Sequence, residues 1–457
     1  MNDGSSRPNT PDETIVALST PVGRSGIGVV RLSGPRAFVI LDELFRSKEA
    51  DAERLVRFGT LESSGGETID QVLATSFRGP NSYTGEDVVE ISAHGNPLIL
   101  NRIIEELVTL GASRAAAGEF TLRAVTNGKM DLLQAEAVRD FIDAQTDMQA
   151  RTAMSQMNGA LANRLRPMKE SLVDVISRLE AGIDFAEDDV EVPDGEVIAG
   201  WVASVEDSIA ELTATVGYGR LLHQGLLLAI AGKPNVGKSS IFNRLVSHDR
   251  AIVSEFPGTT RDVVTETVEV DGIPIRLADT AGVREGSDEV ESIGISRTIE
   301  TLAEADLTLA VFDSSEALTE DDRDVIRRIE EIPHLIVVNK RDLPVRWEGL
   351  NGSPEVHLSA KTGEGFDGLK AGIRKYVSDQ RPPDTVTAVV TSARQAEALD
   401  RASDSLRAGV TSLRSGVPHE MVLLDLYGAL SALGELSGEV VTDDILERIF
   451  STFCIGK

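Results

Sequence analysis

Cysteine is almost absent: Cys454 is the single one in 457 residues. No internal disulfide can form, which suits a reducing compartment and leads us to expect a cytoplasmic protein. No run of about 18 apolar residues occurs, so no membrane-spanning helix is expected. The segment from Met1 to Glu13 is polar, carries Pro8 and Pro11 and lacks an apolar secretory stretch, so residues 1–13 read as a disordered arm. Lysine is scarce too, with 10 of the 45 basic residues being lysine and 35 arginine, and the formal net charge is −29. That balance excludes the simplest kind of nucleic-acid binder, whose phosphate contacts come from basic patches; any RNA site must be local or shared with a partner. Two readings of the acidity stand side by side, a surface adapted to high salt and an ordinary acidic bacterial protein. No internal repeat is visible.

What is present centres on Gly232-Lys233-Pro234-Asn235-Val236-Gly237-Lys238-Ser239, a glycine-rich phosphate loop that follows the apolar run Leu226 to Ala231 and precedes a helical stretch, Ser240 to Val246. Such a turn aims backbone N–H groups at phosphates, and Lys238 can reach the outer ones. Downstream, Asn339-Lys340-Arg341-Asp342 follows the apolar strand Leu335 to Val338. The Asp342 carboxylate can accept from the ring N–H and exocyclic amine of guanine, and adenine would leave it unpaired. Ser359-Ala360-Lys361 after Val356 to Leu358 reads as a second guanine-side loop. Between these lie Gly258-Thr259-Thr260-Arg261-Asp262 and Asp279-Thr280-Ala281-Gly282, the latter after a hairpin, Val268 to Leu277, turned at Asp271-Gly272. The order is that of a GTPase. Ser239 and Thr260 supply hydroxyls for magnesium, with Asp279 acting through water. Val283 stands where many signalling GTPases place a glutamine that orients the attacking water, and a valine cannot do so. Another group must serve, and the acidic cluster Asp288, Glu289 and Glu291 is within reach.

These motifs, the segment Asp288 to Gly294 and the terminal Phe453-Cys454-Ile455-Gly456-Lys457 together resemble the tRNA modification GTPases of the MnmE (TrmE) family, over almost the whole chain. The resemblance implies that Glu291 is the catalytic residue that orients water. It implies a potassium ion beside the phosphates, held by Asn235, Ser254, Phe256 and Thr259, where Ser254 stands for an expected threonine. The nucleotide set it implies comprises Asn235, Val236, Gly237, Lys238, Ser239, Ser240, Ser254, Thr259, Thr260, Asp279, Gly282, Asn339, Lys340, Asp342, Ser359, Ala360 and Lys361. It also implies a folate site of the 5-formyltetrahydrofolate kind at Arg31, Glu90, Lys129 and Lys457, a constitutive homodimer, and a flavin-dependent partner of the MnmG (GidA) kind in a heterotetramer-type complex. The partner would carry the FAD, and tRNA would be the shared substrate. Cys454 is a further candidate as a nucleophile, set against burial as a small apolar residue at the chain end. Asn96 stands where glycine is expected, and a positive φ there would strain it. Tyr83 and His94 sit in loop segments that could border the same pocket; His94 could equally be a hydrogen-bonded structural residue and is left out of the site.

The fold class expected is α/β plus all-α. Residues 14–121 form a mixed α/β folate-binding and dimerisation domain, with strands at Ile15 to Ser19, Gly28 to Leu32, Val72 to Phe77 and Val88 to Ser92 and helices at Ala37 to Phe45 and Leu98 to Leu110. Residues 122–220 are the first part of a helical domain, with long helices at Asp131 to Met157 and Leu161 to Ile183. Residues 221–379 are an inserted Ras-like G domain. Residues 380–457 are the second helical part, with helices at Ala393 to Leu413, Glu420 to Leu436 and Thr442 to Phe450. The stripe Leu423, Leu426, Tyr427, Leu430 and Leu433 is expected to be core. The competing function is a regulatory GTPase of the ribosome-assembly kind, which performs no chemistry on a substrate; the chain has neither a recognisable RNA-binding module nor a basic tail to favour it.

Overall fold

The computed structural model describes residues 13–47, 56–184, 193–248, 265–270, 272–278, 304–347, 349–350, 354–381, 388–440 and 442–456. Ser254, Phe256, Thr259, Thr260, Asp279, Gly282, Val283, Glu291 and Lys457 lie outside them. The chain divides into two compact units, residues up to Arg139 with those from Gly434 onward, and Asp140–Leu433.

The first unit holds a seven-stranded sheet ordered β3-β4-β5-β6-β2-β1-β7. Its strands are β1 (Ile15–Leu18), β2 (Ser25–Ser33), β3 (Phe45–Ser47), β4 (Val56–Glu62), β5 (Thr68–Phe77), β6 (Val88–Gly95) and β7 (Ser113–Arg114). Successive strand residues point to opposite faces. Val30, Leu32 and Ile91 therefore meet Ile40 and Leu44 of α1 (Ala37–Leu44) and Leu100, Ile103 and Leu107 of α2 (Pro97–Thr109) in one buried core, while Arg31 and Glu90 between them face the other way. The start of α2 corrects the expectation at Asn96. Its φ is −101° and its side chain accepts from Leu98 N at 3.0 Å, so it is an ordinary N-cap ahead of Pro97 and no glycine is needed.

Helices α3 (Glu119–Thr126) and α4 (Leu132–Asp143) follow, and Leu132 and Ala135 pack with Ile449, Phe450 and Phe453 from the C-terminal segment. The tail then docks on the sheet. Ile455 bridges Ala117, Ser19 Oγ donates to Gly456 O at 3.1 Å, and Gly456 sits at φ 96° with Leu18 O so close that an added Cβ would lie 2.1 Å from it. Cys454 is exposed, which overturns the burial expected for it: Phe453 takes the inward position and the extended tail turns the next side chain outward.

The second unit begins with a break. The periodic stretch Asp131 to Met157 is two helices, because Thr146 and Gln149 form a reciprocal capping box that starts α5 (Asp147–Met157). Helices α6 (Ala160–Asp184), α7 (Gly195–Thr213) and α8 (Val216–Gln224) lead to Gly225 and then into a six-stranded sheet ordered β13-β12-β11-β8-β10-β9. Its members are β8 (Leu226–Ala231), β9 (Thr265–Val270), β10 (Ile273–Ala278), β11 (Leu307–Asp313), β12 (His334–Asn339) and β13 (Glu355–His357). All pairs are parallel except the hairpin β9–β10. Buried on both sides, β8 reads as an unbroken apolar run rather than an alternation, and β11 is buried throughout, apolar but for Thr308 and the terminal Asp313. Helices α9 (Lys238–His248), α10 (Glu320–Ile329) and α11 (Phe366–Asp379) belong to the same layered body.

The chain then returns to where it left. Val390 N donates to Thr215 Oγ1 at 3.0 Å, and Gln156 Nε2 donates to Val389 O at 2.8 Å. Beyond them α12 (Ala393–Arg414) packs along α7, with Ser403 Oγ donating to Glu206 at 3.0 Å. The sheet body is thus an insert in a helical layer. In α13 (His419–Ser437), Leu426 and Leu433 are fully buried, as the apolar stripe predicts. Tyr427 departs from it: the residue is 44% exposed and its hydroxyl donates to Glu180. No helix among the described residues is long and apolar enough to cross a membrane.

Candidate functional site

The phosphate loop connects β8 to α9, and three of its residues have backbones that few side chains tolerate. Gly232 has φ 152° and an added Cβ would lie 2.5 Å from Val311 O; Gly237 has φ 100° and would clash with Asn339 Nδ2 at 2.3 Å. Asn235, at φ 64°, is one of the few residue types that adopts the left-handed region readily. Lys238 opens α9 and folds its ammonium back over the loop, donating to Gly232 O at 2.8 Å and Lys233 O at 3.0 Å. Burial holds its pKa below the ordinary lysine value. Ser239 and Ser240 are exposed at the first turn of the helix, Asn235 is exposed beside them, and Val236 is buried as the loop's anchor.

Asn339 ties the phosphate side to the base side. It is buried at the end of β12; its Nδ2 donates to Val236 O at 2.8 Å and its Oδ1 accepts from Ala360 N at 2.9 Å. Lys340, also left-handed at φ 63°, extends its ammonium to Asp313 Oδ2 at 2.6 Å. Asp342 is exposed, and its Oδ1 accepts from Ser359 Oγ at 2.6 Å; that hydrogen bond holds the carboxyl below its ordinary pKa. Lys361 is exposed on the same loop. The expected residues of both loops therefore converge on one edge of the sheet, at the C-terminal ends of β8, β11 and β12. Ligands of open α/β sheets bind there.

Sequence reasoning missed two residues of this cradle. Asp313 closes β11 with its side chain 4% exposed, and a carboxylate ending an apolar strand beside the loop was a usable signal. Lys233, the first variable position of the loop pattern, gives no such signal. Its ammonium lies 2.9 Å from Glu316 Oε2, 3.3 Å from Thr319 Oγ1 and 3.0 Å from Asp322 Oδ2, which pins the loop to the N-terminus of α10. Thr319 and Asp322 form the capping box of that helix. Burial raises the Asp322 pKa, but hydrogen bonds from Thr319 and the Lys233 contact outweigh it and the net direction is down.

A carboxyl depressed in the fold stabilises it above the ordinary carboxylate range, and that contribution is lost as pH falls through the lowered folded value. Asp322→Asn is therefore expected to lower stability at neutral pH by about 1.5–3 kcal/mol, the range for a hydrogen bond to a charged group. In urea titrations the midpoints of variant and parent should converge on acidification. A gap that stays constant to low pH would show that the ionised carboxylate is not what stabilises.

Two family models match the chain, the TrmE N-terminus over residues 14–129 and the MnmE helical domain over residues 132–454. The tRNA modification GTPase MnmE of Koribacter versatilis is 48% identical over 454 residues, covering 98% of this chain and 99% of that protein. The MnmE of Aquifex aeolicus is 42% identical over 448 residues, covering 97% and 100%. The chain belongs to the MnmE family. Its P-loop G domain is the inserted sheet body described above.

In the N-terminal unit, two of the four positions that the family resemblance assigned to folate meet, and a third, Lys129, bonds a loop beside them. Arg31 and Glu90 are register partners across β2 and β6, and Arg31 Nη2 meets Glu90 Oε1 at 2.7 Å. The guanidinium lies over the Tyr83 ring, 5.3 Å from its centroid, and Tyr83 shares a hydrogen bond of 2.9 Å with Thr121. Lys129 is exposed and donates to Pro80 O at 2.8 Å, so it serves the loop that carries Tyr83. His94 lies elsewhere, 73% exposed and bonded through Nδ1 to Asp70 at 2.7 Å.

Proposed function

We propose that this chain is a GTP hydrolase acting in tRNA modification. The observation that carries the reading is Asn339, which fixes the backbone of a phosphate loop and the backbone of a guanine-side loop with one buried amide. Catalysis of phosphoryl transfer is mostly positioning and charge stabilisation, and a cradle held at both ends supplies the positioning. Lys238 would contact the outer phosphates, Asp342 the guanine edge, and the exposed Ser239 hydroxyl a magnesium ion that neutralises phosphate charge. Glu291 would orient the attacking water.

The finer reading follows the family. Asn235, whose left-handed backbone leaves its side chain exposed at the loop, would hold a potassium ion together with Ser254, Phe256 and Thr259. The Arg31–Glu90 pair under Tyr83, with Lys129 and Lys457, would bind a folate that donates one carbon to the wobble uridine. A flavin-dependent partner would complete an aminomethyl-type group. The homodimer is supported by an exposed apolar row on β4 and β5, where Val56 and Phe58 are both 56% exposed and Leu73 is 42% exposed opposite Phe58.

The test is mass spectrometry of tRNA nucleosides from cells lacking the protein, complemented with wild type or Glu291→Ala, alongside turnover of the purified protein in matched potassium and sodium. A modified wobble uridine should vanish, return with wild type and stay absent with the variant, and turnover should need potassium. An unchanged nucleoside profile would overturn the tRNA role in favour of a regulatory GTPase, and equal turnover in both salts would remove the potassium ion.

A further inference from the structure

Arg244 sits on α9 six residues beyond Lys238, about 9 Å along the helix at 1.5 Å per residue. Its guanidinium is not used in an ion pair with any described residue. Nη1 donates to Ala360 O at 3.0 Å and Lys361 O at 3.2 Å, and Nη2 donates to Thr362 O at 3.1 Å. The same group lies 5.5 Å from the centroid of the Phe366 ring. Three consecutive carbonyls of the Ser359–Thr362 loop thus converge on one planar cation, which a fork of fixed N–H donors suits better than a point charge does.

The loop has made room for it. Gly363 has φ 91°, and an added Cβ would lie 2.0 Å from Arg244 Nη2. Gly363 N donates back to Ser359 O at 2.8 Å, and Ser359 N donates to Glu364 O at 2.9 Å, so the turn is closed on itself around the guanidinium. From that turn two bonds reach the base-reading residues, Ser359 Oγ to Asp342 at 2.6 Å and Ala360 N to Asn339 at 2.9 Å.

We propose that Arg244 is a positioning residue for guanine recognition: it clamps the Ser359–Gly363 turn and, through Ser359, aims the Asp342 carboxylate at the base. This rests on the GTP reading above and extends it to a residue outside the nucleotide motifs. One helix then holds both ends of the nucleotide, the phosphates at its first turn and the base loop two turns on. A purely structural arginine would affect stability alone. A clamp that aims Asp342 must affect the choice between guanine and hypoxanthine, since hypoxanthine lacks the exocyclic amine that the carboxylate accepts from.

The experiment is calorimetric titration of the full-length protein with GDP and with IDP, for wild type, Arg244→Ala, Arg244→Lys and Gly363→Ala, with steady-state GTP turnover and thermal midpoints measured in parallel. Arg244→Ala should weaken GDP binding roughly ten- to hundredfold, the equivalent of losing hydrogen bonds to a charged donor. It should shrink the GDP-to-IDP affinity ratio and leave kcat at saturating GTP near the wild-type value. Gly363→Ala should reproduce the smaller ratio with the arginine still present, and Arg244→Lys should fall between Arg244→Ala and wild type. A wild-type ratio in both Arg244→Ala and Gly363→Ala overturns the proposal. A wild-type protein that does not prefer GDP to IDP overturns the guanine reading itself, and the clamp with it.

Discussion

Replacing Asp342 with asparagine is expected to lower affinity for GDP by about 10³-fold or more, because a site built to hydrogen-bond a particular group rejects a mismatched partner by 10⁴ or so. The carboxylate offers only acceptors to the ring N–H and the amine of guanine; an asparagine amide would set its own N–H donors against that amine. Xanthine carries a carbonyl in place of the amine, so the same variant should gain affinity for XDP. The local fold should survive, since Ser359 Oγ, now 2.6 Å from the carboxylate, can donate equally to an amide oxygen. Titration of parent and variant with GDP and XDP checks both halves. A variant that loses GDP without gaining XDP would place the base elsewhere.

Lys238→Met separates binding from folding. Removing one preorganised cationic donor from a phosphate site is expected to reduce turnover by about 10²–10³-fold. Without nucleotide the same change should be neutral or stabilising. Burial depresses the lysine pKa, which means the fold disfavours its charged form, and among the described residues the ammonium is satisfied by two carbonyls of its own loop. Thermal midpoints should therefore be equal or higher in the ligand-free variant, while the rise that GDP produces in the parent should disappear. A ligand-free variant that melts well below the parent would show that Lys238 is a structural brace for the loop instead.

The nucleotide cradle was legible in the sequence because its chemistry is local: a run such as Gly232 to Ser239 or Asn339 to Asp342 contains its own turn, donors and charges. The residues that tension the cradle were not, because their partners are remote. Lys233 reaches Asp322 across 89 positions and Arg244 reaches Ala360 across 116, and no spacing rule connects them. The helix break at Thr146 carried a readable signal, a threonine followed three residues on by glutamine, but it lay within an otherwise helical period that masked it. Strand β3 was missed because a three-residue edge strand has too little pattern to stand out. The N-terminal cluster depended on the family resemblance. Arg31 and Glu90 face each other only because two antiparallel strands are in one particular register, and isolated charges in a sequence look like solvated surface.

The meeting of Thr215 with Val390 has a consequence for how this chain could have been assembled. The two residues are 175 positions apart yet share a hydrogen bond. The chain between them is one loop closed at a narrow neck, and the entropy of closing such a loop rises only logarithmically with its length, by about 0.6 kcal/mol for each doubling. The neck is therefore almost indifferent to the size of what hangs from it. A body of another length could close at the same two residues, provided that it offered α5 a surface to replace the one that Met148 and Gln149 now pack against.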